Sequence, residues 1–129
     1  MFKKLSPNLK SSITRSITQT FEQYMSDIDW NEDKYDIGTY MDYWSEYITT
    51  KALWYTNIPE DMKSNPKFHE DLAQRINDNI VRILNEPPSE EQIAAIQMMQ
   101  EALDTHYEYG CKAEAVYVET LLKNHINAQ

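Results

Sequence analysis

Asp27, Asp29 and Asn31 stand at the first three ligand positions of a calcium-binding loop, and their chemistry would be oxygen ligation of a hard cation. A loop that starts at Asp27 needs glycine at its sixth residue and a bidentate glutamate at its twelfth. This chain has Glu32 and Gly38 there, so the sharp turn lacks its glycine and the last ligand is missing. The stretch therefore reads as an acidic connector without a metal.

The other reactive side chains are no better arranged. His69, His106 and His125 follow Pro66, Leu103 and Leu122 by three residues, so the Glu-x-x-His pattern of di-metal bundles is absent. No two histidines are close enough to form a helical zinc pair. Cys111 is the single cysteine and reads as a small packed hydrophobe, with neither a disulfide nor a thiolate cluster to join. Gly38 and Gly110 are the only glycines, too few for a phosphate-cradling loop. None of Arg15, Arg75 and Arg82 is followed four to six residues later by the histidine of helical ribonuclease-type toxins. The expectation is a protein that is not an enzyme and needs no cofactor.

Aromatic residues supply the strongest positive signal. Eight of the fifteen fall within residues 30–55. Tyr43, Tyr47 and Trp54 follow i, i+4, i+11 spacing beside Asp42 and Glu46, with Trp30 and Tyr35 on the preceding connector. Large rigid rings with an acidic rim suit a protein interface, so Trp30, Tyr35, Tyr43, Glu46, Tyr47 and Trp54 form the candidate partner-binding set. The competing reading is a central helix that packs on two neighbours.

Charge points the same way. The net charge of −9 excludes a general nucleic-acid binder, whose phosphate contacts require a basic face. Residues 22–63 hold ten acids against three bases, whereas residues 1–21 hold Lys3, Lys4, Lys10 and Arg15 and no acid. Such a surface attracts a basic protein partner, although acids also serve plain solubility. No apolar run reaches the roughly 18 residues that span a bilayer, and the Ser/Thr-rich N-terminus lacks the apolar block of a secretory signal. A cytoplasmic protein is expected. The asparagine-, isoleucine-, lysine- and tyrosine-rich usage resembles that of an AT-rich bacterium or its phage.

The elements that must position these residues are helices. Glycine scarcity and steps of three or four between apolar residues predict an all-α chain. Leu9, Ile13, Ile17, Phe21 and Tyr24 mark a helix over about 7–28, opened by Ser6-Pro7. Ile37, Tyr40, Trp44 and Ile48 mark a second over about 37–56. Phe68, Leu72, Ile76, Ile80 and Ile83 mark a third over about 66–86. Ser89 to Gln92 is a capping box that opens a fourth over about 89–125, with Gly110 as its only suspect position. The sum is one domain over 1–129, a four-helix antiparallel bundle with a long C-terminal helix of ~54 Å. The function expected is a small acidic interaction module that acts by occlusion, as a regulator, inhibitor or immunity-type partner. The alternatives are a small-molecule-binding bundle with an aromatic pocket, and a homodimer paired through the C-terminal helix.

Overall fold

The computed structural model describes residues 5–128; Lys3 and Lys4 lie outside them. It contains α1 (Pro7–Asp27), α2 (Ile37–Thr50), the short α3 (Glu60–Lys63), α4 (Pro66–Asn85), α5 (Glu90–Leu103) and α6 (Lys112–Ala128). Two 3-10 turns, Glu32–Lys34 and Leu53–Asn57, complete it, and no strand occurs among the described residues. The fold is all-α. The chain divides into two compact units, Met1–Val81 and Arg82–Gln129, and the division falls within α4.

In the first unit α1 packs on α2. Ser6 opens α1, its hydroxyl accepting from the Leu9 amide at 3.2 Å. The stripe of Ile13, Ile17, Phe21, Tyr24 and Met25 is buried, as the spacing predicts. Part of the face expected to be polar is buried too. Ser16 and Thr20 are buried with their hydroxyls bonded back to helix carbonyls, and they also receive the polar ends of α2's aromatics. The Trp44 indole N–H donates to Ser16 Oγ at 3.1 Å, and the Tyr40 hydroxyl shares a 3.0 Å bond with Thr20 and donates to the Ile17 carbonyl at 3.1 Å. A buried ring with an N–H or O–H needs a partner, and here α1 supplies it. From α4, Phe68, Leu72, Ile76 and Ile80 enter the buried set, and Arg75 donates to Thr14 of α1 at 3.2 Å. Asn65 caps α4 by accepting from the Lys67 amide.

Two helix ends depart from the sequence reading. α2 stops at Thr50, short of 56. The consecutive Thr49 and Thr50 hydroxyls both bond back to the Glu46 carbonyl, and Lys51 leaves helical geometry at φ −120. β-branched hydroxyl residues that compete for the helix carbonyls weaken its last turn. The chain then runs on as the Leu53–Asn57 turn.

The expected long C-terminal helix is two helices packed on each other, α5 and α6. The break is not at Gly110, which has no positive φ, but at Asp104, which closes α5 in the left-handed region at φ 54. Aspartate tolerates that conformation better than most side chains. The amides of Asp104 and Thr105 both bond to the Gln100 carbonyl. The Gln100 side chain then fixes the following loop. Its Oε1 accepts from the Tyr107 amide at 2.7 Å and the Thr105 hydroxyl at 3.1 Å, while its Nε2 donates to the Tyr107 carbonyl at 3.0 Å. Folding back buries Ile96 against Ala115, Val118 and Leu122, which a single straight helix would leave on separate levels. The second unit thus has its own small core. α6 alone has 17 residues, so the ~54 Å C-terminal helix expected from residue spacing is not formed.

Candidate functional site

The site is built on the α1–α2 hairpin and the turn that follows it. Residues 27–36, the stretch with calcium-loop spacing, are committed to chain reversal. Beyond α1, the Asp29 amide bonds to the Ser26 carbonyl and the Trp30 amide to the Met25 carbonyl, which satisfies two of the helix's last carbonyls. Asp29 and Trp30 both take left-handed backbone, at φ 56 and 53. That is costly for a tryptophan, and the ring's edge-on contact with Phe21 at 6.3 Å helps to hold it. Asn31 Oδ1 accepts from the Asp33 amide to start the 3-10 turn, and Asp27 Oδ1 accepts from Gln23. Among the described residues no group of three or more His, Cys, Asp or Glu is placed to hold a metal ion.

Asp36 caps α2 through the Thr39 amide and hydroxyl, at 2.8 and 2.9 Å. Those bonds, the amide's first, hold its pKa below the ordinary carboxylate value. The cap is therefore strongest above that ordinary value and is lost as acid protonates Asp36.

The six candidate residues occupy two places. Trp30 and Tyr35 are half-buried at the reversal, where both rings meet Phe21 edge-on and Tyr35 also meets Tyr24. They belong to an aromatic cluster that includes Tyr40 and reaches Tyr43 through Tyr24. Tyr43, Glu46, Tyr47 and Trp54 form a surface strip. Tyr43, Glu46 and Tyr47 line one small groove with Lys51, and Tyr47 and Trp54 line a second, so Tyr47 and Lys51 join the two. Glu46 is exposed and the three rings are half-buried. Tyr47 is steadied from α1, donating to Gln19 at 3.2 Å, and Trp54 by an edge-on contact with Tyr55, over which the Lys63 ammonium sits at 4.3 Å. Trp54 comes from the 3-10 turn and not from α2, so the turn, rather than helical spacing, brings it beside Tyr47.

The tyrosine hydroxyls respond to burial and to nearby acids. Burial raises the Tyr43 pKa, with Asp27 and Glu46 adding to it; burial also raises that of Tyr35, with Tyr24 and Asp36 adding. Tyr40 is pushed up to about 12, mainly by burial, against a partial opposing effect of its bond to Thr20. Between its ordinary value of 10.0 and about 12 the unfolded chain gives up the Tyr40 proton while the folded chain keeps it. Stability therefore falls as pH rises through that window, by about 1.4 kcal/mol per unit. Tyr40→Phe should flatten most of this alkaline decline, leaving the smaller share of Tyr35 and Tyr43. Urea midpoints on either side of pH 10 will measure it.

Spacing alone missed Arg15, Gln19, Lys51 and Leu53. Arg15 and Gln19 join Tyr47 and Trp54 in the second groove because α1 runs alongside, and Leu53 is 87% exposed at its edge. An i, i+4 step from Arg15 to Gln19 was visible, but nothing in the sequence linked it to residues 47–54. Asp27, Asp29, Glu32, Asp33, Asp36, Asp42 and Glu46 are all exposed, so the reversal and the start of α2 carry a strongly acidic surface. No helix among the described residues is long and apolar enough to cross a membrane. Compared with known protein families, curated proteins and solved structures, the chain matches none.

Proposed function

We propose that this chain is a protein-binding module that uses the Tyr43–Tyr47–Trp54 strip as its anchor and the acidic surface of residues 27–46 to steer a basic partner. The observation that carries the reading is the strip itself: three half-buried rings held in place from below, next to a leucine with 87% of its surface in water. Rigid, partly exposed rings lose little conformational freedom on binding and can bury a large area. Carboxylates around them raise the encounter rate with a cationic partner and make it sensitive to salt. The action would be occlusion, the strip covering a surface that the partner uses elsewhere.

The small-molecule alternative has less support. Tyr43 and Trp54 line different grooves and Trp44 lines neither, being buried with its N–H on Ser16, so the three rings do not enclose one cavity. A photo-crosslinking residue at Tyr47, compared with one at the exposed Ala73 of α4, tests the leading reading in native host cells. A basic protein captured at 47 and not at 73, and lost when Tyr43→Ala and Trp54→Ala are added to the position-47 crosslinker, is expected. Equal capture at both positions, or capture that survives the double variant, overturns it.

A further inference from the structure

We infer that the second groove, between α1 and the Leu53–Asn57 turn, binds an acidic, apolar peptide segment of the partner. This rests on the strip as a docking surface and assigns the chemistry of its Trp54 end. The groove has a volume of about 520 Å³, which is within the usual range for a ligand site. Its lining holds two cations, Arg15 and Lys51, and no carboxylate, in a chain with 21 acids against 12 bases. The contrast with the other described grooves is sharp, since one contains Glu46 and the other Glu101 and Asp104.

Neither Arg15 nor Lys51 makes an ion pair or a side-chain hydrogen bond among the described residues, although Glu46 shares the adjoining groove with Lys51. Tyr47 and Trp54 set two rings into a lining that is otherwise mostly polar, with Ser12, Gln19 and Asn57 beside the cations, and the exposed Leu53 stands at its edge. Two cations beside the Tyr47 and Trp54 rings and the exposed Leu53 complement a segment that alternates carboxylate and aliphatic side chains. Its carboxylates would meet the Arg15 guanidinium and the Lys51 ammonium, and its aliphatic groups would cover Leu53 and Trp54. A partner that is basic where it meets residues 27–46 and acidic where it meets this groove can dock in only one orientation, which is how charge patterning sets register.

The test titrates the full chain with a short acetylated peptide of alternating glutamate and leucine, and with its lysine–leucine counterpart, and follows backbone amide shifts by NMR. The expected result is saturable movement at Arg15, Gln19 and residues 51–57 with the glutamate peptide alone. Affinity should fall about tenfold in Arg15→Glu with Lys51→Glu, both exposed positions whose replacement leaves the core untouched. No movement at these amides, equal movement with the lysine peptide, or unchanged affinity in the double variant overturns the inference. If the crosslink at Tyr47 captures its partner equally well when Arg15 and Lys51 are reversed, the strip remains a docking surface and binding of an acidic segment in the groove is excluded. If capture at Tyr47 fails while the glutamate peptide still binds, the groove stands and the occlusion reading falls.

Discussion

Phe21→Ala should destabilise the first unit by about 3–5 kcal/mol, the largest effect expected of any single substitution in residues 5–81. Phe21 is 1% exposed and meets three rings edge-on, Trp30, Tyr35 and Tyr40, at 6.3, 6.3 and 5.6 Å. Truncation removes the transfer energy of the ring, leaves a cavity and ends three aromatic contacts at once. The contact with Trp30 has a second consequence. It helps to hold a bulky residue in left-handed backbone, so its loss should release the chain reversal at 28–36 as well as the helix interface. A thermal midpoint lower by about 10–20 °C is expected, with loss of amide protection spreading from α1 into residues 28–36. Phe21→Leu keeps most of the volume and should cost roughly half as much or less. If Phe21→Ala costs under about 1 kcal/mol, the ring is not the centre of this cluster.

Leu122→Ala should have the matching effect in the second unit, about 2–5 kcal/mol. Leu122 and Ile96 are both 0% exposed and share a small core with Ala115 and Val118, so little surrounding structure is available to collapse into the gap. Hydrogen exchange separates this variant from Phe21→Ala. Protection should fall first in α5 and α6, and the amides of α1 and α2 report whether the two units unfold together. The same core gives a check of opposite sign in volume. Ala115 has no free surface, so Ala115→Leu overpacks the site and should also destabilise, by about 1–3 kcal/mol. A continuous helix over 89–125 would place residues 96 and 122 far apart along its axis, and Leu122→Ala would then cost little.

Much of the helical framework could be read directly from residue spacing. The starts of α1, α2, α4 and α5 follow from local chemistry: Ser6, Asp36, Asn65 and Ser89 each accept a bond from an amide in the first turn. The buried stripes of α1 and α4 follow from steps of three and four. Helix ends were less legible, because they depend on which group captures the last carbonyls. Thr49 and Thr50 ended α2 from within, and Asp104 with Gln100 ended α5 without a glycine. Of the candidate site, Tyr43, Glu46 and Tyr47 were readable as one helix face. Trp54 lines a groove with Tyr47, but a turn and not a shared helix face brings it there, which i, i+4, i+11 spacing does not record.

The sequence by itself determined the all-α class, the acidic surface and the concentration of rings in residues 30–55, because composition and short-range periodicity are local properties of the chain. Tertiary structure alone decided which rings became core and which became surface. Tyr40 and Trp44 went inward because Ser16, Ile17 and Thr20 on α1 met their polar atoms, while Tyr43, Tyr47 and Trp54 were left at the grooves. The Asp27-x-Asp29-x-Asn31 stretch became a helix cap and a turn because the Asp29 and Trp30 amides donate to the last carbonyls of α1 and Asn31 Oδ1 accepts from the Asp33 amide. Arg15 and Lys51, thirty-six positions apart, came to line one groove through the packing of α1 against α2, a long-range contact that residue spacing does not record.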